Sequence, residues 1–282
     1  MSLSLIRKDK EILLFPLISG IITILVFVSF LGIWFFANNY TFNGPDILLI
    51  ILLIVFYIVS SFVVVFFNVA IIACATKRLE GGDPTFSYGI SFAAGRIRQI
   101  LMWALVAATV GMLIRAIRQR AGPLGQIFGI LGGLAWAIAT YFVIPIIAFE
   151  QVGPWEALKR SSSLLKRTWG EGLISNLGLG LIFFLLAMVG FLGFFLAIGL
   201  VIMTNSFVVF VVVALLVVAY WIGLILVGSA ANAVLMAALY RYATTGKMAE
   251  GFPDESIKNP FAFPTASESL GNYPRRKFLR HV

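Results

Sequence analysis

Residues that build metal sites and covalent catalytic sites are scarce in this sequence. It contains one cysteine, Cys74, and one histidine, His281, which lies one residue from the carboxyl end. A single cysteine excludes an intramolecular disulfide, and one residue of each kind is too few for a typical zinc site. A histidine so close to a terminus is also poorly held for acid–base chemistry. We therefore expect no metal, no cofactor and no enzymatic activity.

Charged residues are equally scarce. They make up 12% of the 282 residues, whereas hydrophobic residues make up 61%, and the mean hydropathy is +1.01. A soluble domain carries roughly a quarter charged residues, since its surface must face water. The deficit excludes an ordinary water-soluble domain and indicates that lipid is the solvent of most of this chain.

The apolar residues are grouped in blocks long enough to cross a bilayer, which takes about 20 residues of helix. The blocks are continuously apolar rather than alternating, so we predict helices and not a barrel. The predicted fold is all-α, a polytopic transmembrane helical bundle in a single domain, 1–250, followed by a polar cytoplasmic tail, 251–282. The about six predicted spans are 13–37, 47–76, 97–114, 124–149, 173–203 and 207–240.

The positions of the 21 lysine and arginine residues predict the orientation. Basic residues flank one side of the spans, whereas the connection 38–46 has none. The positive-inside rule then places both termini in the cytoplasm, with the cell membrane as the expected location. We attribute the net charge of +9 to the basic residues on the cytoplasmic side of the spans and not to nucleic-acid binding. Three arginines lie on the predicted outer side and do not fit this orientation: Arg115, Arg118 and Arg120. Either their side chains snorkel to the lipid headgroups, or the third and fourth blocks do not fully cross the membrane.

Two connections on the basic side resemble each other. Glu80-Gly81-Gly82-Asp83-Pro84 aligns with Glu150-Gln151-Val152-Gly153-Pro154 at a shift of 70 residues, and each proline suits the first turn of a helix. A serine followed five residues later by a basic residue recurs after each connection and near the N-terminus. The pattern indicates a three-fold internal repeat, in which an interfacial helix precedes an outward and a returning span.

The stretch 154–169 is predicted to be an amphipathic helix in the headgroup layer on the cytoplasmic side. Tryptophan and leucine fall on one helical face and basic residues on others. Packing on the membrane surface is the simpler interpretation, and lipid sensing is the alternative. The residues are Trp155, Leu158, Lys159, Arg160, Leu165, Lys166, Arg167 and Trp169.

Small and polar residues within the spans suggest how the helices pack. Small residues at every fourth position permit close helix–helix approach. Polar residues near helix ends more often bond neighbouring helices, but they are also the candidates for a polar cavity. The small residues are Gly125, Gly129, Gly133 and Ala137, with Ser229, Ala233 and Ala237. The candidate cavity residues are Asn68, Thr140, Tyr141, Asn176 and Asn232.

Several longer motifs are spread over the chain up to about residue 263. They are Leu5-Ile6-Arg7-Lys8-Asp9-Lys10-Glu11 with Phe15-Pro16, the stretch Trp136 to Pro145 with Glu150, Trp155-Glu156-Ala157-Leu158-Lys159-Arg160-Ser161, Thr168-Trp169-Gly170-Glu171, and Ala238-Leu239-Tyr240-Arg241-Tyr242-Ala243-Thr244-Thr245-Gly246 with Glu250-Gly251-Phe252. Together they resemble domain-of-unknown-function family 6159, of uncharacterised six-helix membrane proteins. A weaker resemblance links 150–161 to membrane domains of glycerophosphodiester phosphodiesterases. No phosphodiesterase domain is present, so the resemblance transfers no activity.

Three functions are consistent with these features. The leading hypothesis is a non-enzymatic scaffold or subunit whose partners are membrane lipids or other membrane proteins. A small permease or channel is the alternative, and it would need a polar cavity near the midplane. A lipid-modifying enzyme is the third, and it would need the separated carboxylates of Glu80, Asp83, Glu150, Glu156 and Glu171 to cluster.

Overall fold

A computed structural model describes residues 10–38, 47–120 and 122–245 of the chain. Within these ranges all the regular secondary structure is helical, which confirms the predicted all-α class. A 3-10 turn, Lys10–Leu13, precedes eight α-helices. They are α1 (Leu14–Ala37), α2 (Ile47–Leu79), α3 (Phe86–Ala94), α4 (Ile97–Arg120), α5 (Gly122–Ala139), α6 (Val143–Glu150), α7 (Pro154–Thr204) and α8 (Phe207–Thr245).

Six segments are long and apolar enough to cross a membrane, as predicted. The shortest has 23 residues, about 35 Å of helix at 1.5 Å per residue, against about 30 Å of hydrocarbon. The spans are Glu11–Ala37, Ile47–Leu79, Ile97–Gln119, Gly125–Glu150, Gly178–Thr204 and Phe207–Thr245. The third and fourth are as long as a full crossing requires, although the third carries Arg115 and Arg118.

The spans form three antiparallel hairpins that are consecutive in the chain. Helix α1 packs against α2, α4 against α5, and α7 against α8. Helix α2 is central, because it also contacts α3, α4, α6 and α8. The arrangement agrees with three outward and three returning spans, while the sequence repeat itself stays a prediction.

The buried residues concentrate at one end of the bundle, here called the closed end. It is the end where α2 and α8 finish and α1, α4 and α7 begin. Alanines such as Ala70 and Ala75 on α2 and Ala230 and Ala237 on α8 are fully or almost fully buried there, and small side chains allow backbones to approach closely. At the opposite, open end many large apolar side chains are exposed, and Phe207 is 78% exposed, although Trp34 on α1 is buried. In a bilayer this surface faces hydrocarbon.

The fourth span is interrupted at Thr140–Phe142, between α5 and α6. Pro145 lies in the first turn of α6, where it has no N–H to bond the carbonyl of Tyr141. The backbone N–H of Phe142 instead donates to the buried Oγ of Ser161 at 3.0 Å. Ser161 on α7 therefore caps α6 and ties the break to the neighbouring hairpin.

Helix α7 begins much earlier than the predicted fifth span. It runs through 51 residues without a break, about 76 Å of helix, so the predicted interfacial helix and the predicted span are one element. The basic residues around 166 lower the hydropathy, but lysine and arginine are good helix formers and do not end a helix. Pro154 occupies the first helical turn, as expected. Pro84 instead precedes Thr85, the N-cap of α3.

Candidate functional site

The charged side chains of the described residues concentrate at the closed end. Arg115 and Arg118, in the second half of α4, lie away from it, and the guanidinium of Arg115 is 5.7 Å from the centroid of the Tyr57 ring. The side chain of Arg120 lies outside the described residues. The closed end is therefore the place to look for polar chemistry.

Helix α3 is attached to this end by its N-terminus. The N–H of Phe86 donates to Glu11 Oε2 at 2.7 Å, and the N–H of Tyr88 donates to Thr85 Oγ1 at 3.2 Å. Both bonds satisfy donors that a helix start leaves unpaired. Gly89 then lets α3 approach the bundle, since a Cβ there would lie 2.6 Å from Phe15 Cζ.

Two arginines cap the ends of helices at the closed end. Arg96 donates through Nε to the carbonyl of Ala148 in the last turn of α6, and it stacks on the Phe92 ring. Arg241 donates through Nη1 to the carbonyl of Leu79, the last residue of α2, at 2.8 Å. Cations are favourable at helix C-termini, where carbonyls lack partners and the helix dipole is negative.

Glu150 joins three helices. Its Oε1 accepts hydrogen bonds from the Nε of Arg160 at 3.3 Å and from the hydroxyl of Tyr240 at 3.0 Å. Phe149 also stacks on Tyr240, with ring centroids 5.8 Å apart. The end of α6 is thus bonded to α7 and α8 by residues that are up to 90 positions apart in the chain.

Beside this network lies a cavity of about 530 Å³, here called the Lys77–Arg241 pocket. Two cations and one carboxylate lie in it beside tyrosine and threonine side chains, so its lining combines charged, polar and apolar groups. Residues from α2, α3, α6 and α8 contribute to it. They are Ala73, Thr76, Lys77, Glu80, Tyr88, Phe149, Tyr240, Arg241, Thr244 and Thr245.

Burial and nearby charges set the protonation of the groups at this end. Burial raises the pKa of Tyr88 above its ordinary 10.0, Cys74 and Glu80 raise it further, and Arg96 lowers it. The Tyr88 phenol is therefore protonated at neutral pH and can donate a hydrogen bond. Burial lowers the pKa of Arg96, and the neighbouring Tyr88 opposes this shift.

The structure places the predicted small residues in different environments. A Cβ on Gly129 would lie 2.9 Å from Arg118 Cβ, and one on Gly133 would lie 3.9 Å from Ile114 Cγ2. Gly125 is buried, whereas Ala137 is exposed. On α8, Ala233 and Ala237 are buried and Ser229 is half-buried.

The cavities around Lys77, Trp155 and Phe210 in the described part of the chain are lined by none of the predicted polar-cavity residues. Thr140 donates its hydroxyl to the carbonyl of Trp136 in the last turn of α5, at 2.8 Å. Asn232 is exposed, Asn68 is half-buried, and the buried hydroxyl of Tyr141 has no hydrogen-bond partner among the described residues. The Asn176 side chain lies outside the described residues. The permease interpretation stays a prediction.

The predicted interfacial residues lie along the first turns of α7. Trp155 is 70% exposed, Lys159 and Arg160 are exposed, and Leu158 and Leu165 pack against the core. A shallow cavity of about 420 Å³ is lined by Trp155, Leu158, Lys159, Ser162 and Ser163. The inward face belongs to Ala157, Ser161 and Leu164. The side chains of Lys166, Arg167 and Trp169 lie outside the described residues, and membrane-surface placement stays a prediction.

Sequence reasoning used Lys77 and Arg241 only for topology and did not place them in a site. A usable signal existed, because α2 and α8 are both returning spans and their last turns must reach the same membrane level. Basic residues in those turns therefore meet if the helices are neighbours. Across residues 10–38, 47–120 and 122–245, no group of three or more His, Cys, Asp and Glu side chains could hold a metal ion.

The comparison with protein families gives one match. Residues 47–252, which are 206 of the 282 residues, match the family of unknown function DUF6159, and the chain belongs to this family. No curated protein and no solved structure matches the chain. The distant similarity to membrane domains of glycerophosphodiester phosphodiesterases is therefore not shown.

Proposed function

We propose that this member of the family is a non-enzymatic scaffold that organises membrane lipids around its hairpins. The observation that supports this proposal most strongly is the outward exposure of the apolar side chains in the open half of α7 and α8. Met203 is 86% exposed and Phe207 is 78% exposed, and neither belongs to the buried core. Such a surface offers contact to lipid chains or to spans of partner membrane proteins.

The closed end supports a cytoplasmic location for both termini, in the cell membrane. Most described charges lie there, and basic residues flank the spans on this side, as the positive-inside rule requires of a cytoplasmic face. Reporter domains fused to each terminus test this orientation. Activity of a cytoplasm-specific reporter at both ends is expected, and activity of an externally active reporter would contradict it.

Extraction into polymer nanodiscs, which retain native lipid, tests the lipid-organising role. The lipids that copurify are compared with the bulk membrane and with those around an unrelated six-span protein of the same membrane. Enrichment of one lipid class around the chain is expected. A composition identical to the bulk would contradict the proposal.

The two alternative functions are tested on the same purified protein. In liposomes, selective passage of a solute that Asn68→Ala abolishes would favour a permease over a scaffold. Turnover of a labelled phospholipid that Glu150→Gln abolishes would favour an enzyme. The proposal expects neither result, because Glu150 is engaged by Arg160 and Tyr240.

A further inference from the structure

We propose that the Lys77–Arg241 pocket binds the phosphate group of an anionic phospholipid whose headgroup carries one net negative charge. This inference rests on the proposed lipid-organising function and names the site and the chemical class of ligand. The pocket lies at the closed end, where the last turns of α2 and α8 reach the level of the charged residues. A headgroup would occupy the pocket while its acyl chains follow the apolar helices below.

The first support is the state of the two cations. Lys77 Nζ lies 4.1 Å from the centroid of the Tyr88 ring, and among the described residues it forms no ion pair. Arg241 donates one N–H to the carbonyl of Leu79, which leaves most of its five donors unused within the described chain. Lysine and arginine with spare donors are the residues that proteins use to hold phosphate oxygens.

Hydroxyl groups in the same pocket add neutral donors. Thr76 Oγ1 is buried and has no hydrogen-bond partner within residues 10–38, 47–120 and 122–245, which is costly unless a ligand supplies one. The protonated phenol of Tyr88, on α3, also lines the pocket. Thr244 donates to the carbonyl of Tyr240 in its own helix, so its hydroxyl retains only acceptor capacity. A phosphate group bound here would meet donors from α2, α3 and α8 together.

The charge of the pocket selects the ligand. Lys77 and Arg241 contribute two positive charges, and Glu80 contributes one negative charge. Glu150 is adjacent, but Arg160 pairs with it. The remaining single positive charge matches a phosphodiester, which carries one negative charge, better than a phosphomonoester. The volume of about 530 Å³ lies within the usual range of ligand pockets.

The test uses the full-length protein in nanodiscs of phosphatidylcholine, with or without phosphatidylglycerol, and in detergent with inorganic phosphate. Native mass spectrometry counts bound phosphatidylglycerol, and thermal unfolding reports occupancy. Lys77→Gln removes the charge but keeps the Cβ and Cγ, and the Cγ is the side-chain atom that lies nearest to Gly82. Lys159→Gln is the matched control, since Lys159 is an exposed cation at the same end and outside the pocket.

We expect Lys77→Gln to weaken phosphatidylglycerol binding by about tenfold or more, and Lys159→Gln by less than about twofold. Tyr88→Phe should give a smaller loss, because it removes one neutral donor. Equal losses in both lysine variants would overturn the pocket and leave general attraction to the membrane surface as the cause.

The remaining outcomes distinguish a failure of the proposed pocket from a failure of the proposed lipid-organising function. Phosphatidylglycerol binding that survives Lys77→Gln unchanged would overturn the pocket, while the lipid-organising role would stand. Lys77-dependent binding of inorganic phosphate without any binding of phosphatidylglycerol would overturn the lipid ligand and the role that rests on it. The pocket would then be an anion site for a soluble phosphate.

Discussion

Replacement of Gly89 by alanine tests the packing that holds the Lys77–Arg241 pocket together. A Cβ at this position would lie 2.6 Å from Phe15 Cζ and 2.8 Å from Cys74 Sγ. Phe15 is fully buried and Cys74 is 1% exposed, so neither side chain has room to move away. Helix α3 must then shift outward, and Tyr88, the residue before Gly89, shifts with it.

The expected cost follows from two opposing effects. Overpacking in a tight core costs about 1–3 kcal/mol, and alanine in place of a helical glycine returns about 0.8–1 kcal/mol. The net destabilisation is about 1 kcal/mol, which corresponds to a decrease in Tm of about 2–4 °C for a chain of this size. Gly20→Ala in α1 is the matched control, because outside its own stretch of helix no atom of the described residues lies within 4 Å of its added Cβ. It should leave the Tm unchanged or raise it.

Thermal unfolding of the purified protein in mild detergent, followed by intrinsic fluorescence, measures both variants. A double mutant with Phe15→Leu relieves part of the clash, because it removes the Phe15 ring atoms that the new Cβ would meet and leaves only Cys74 Sγ. The two changes should then be non-additive, with a coupling of about 0.5–3 kcal/mol. Equal Tm values for Gly89→Ala and Gly20→Ala, or strictly additive changes, would refute the close approach of α3.

Three further predictions address other contacts. Ser161→Ala leaves the N–H of Phe142 without its acceptor, so unfolding should become easier by about 1–3 kcal/mol, measured as a lower Tm. Gly129→Val directs methyl groups at the Arg118 Cα and Cβ, and the forced separation of α4 and α5 should cost about 1–3 kcal/mol in the same assay. Because burial raises the pKa of Tyr88 above 10.0, the folded state binds its proton more tightly. The stability that the protonated Tyr88 contributes is fully present below pH 10.0 and is lost as the pH rises through the folded-state pKa. Because phenylalanine has no such proton, the Tm of Tyr88→Phe should decline less steeply above about pH 10.

The number of spans could be predicted because hydrocarbon imposes a minimum length of apolar helix. The blocks at 13–37 and 207–240 correspond to α1 and α8 within a few residues. The start of α7 could not be predicted from hydropathy, since charged residues end an apolar block without ending a helix. Hydropathy reports the solvent around a helix, whereas the limits of the helix depend on its hydrogen bonds.

The position of the core was not readable from the sequence. A span that is apolar all round gives no indication of which face meets protein and which meets lipid. Only the small residues suggested contacts, and Ala137 shows their limit, because it lies at the surface. The Lys77–Arg241 pocket could not be predicted from the sequence for a related reason. Lys77 and Arg241 are separated by 164 positions, and only the packing of α8 on α2 brings them together.

Packing at one end explains how a defined pocket and a broad lipid-facing surface can coexist in one bundle. The pocket takes residues from α2, α3, α6 and α8, and buried core residues lie on each of these helices. Its donors are therefore held in place before a ligand arrives, which lowers the entropic cost of binding. The open half of α7 and α8 needs no such order, because lipid chains are fluid and make no directional bonds. A headgroup bound at the closed end would stabilise all four pocket helices by mass action. In the proposed scaffold, that ligand would hold the bases of two hairpins together while their apolar surfaces remain available to lipids or partner helices.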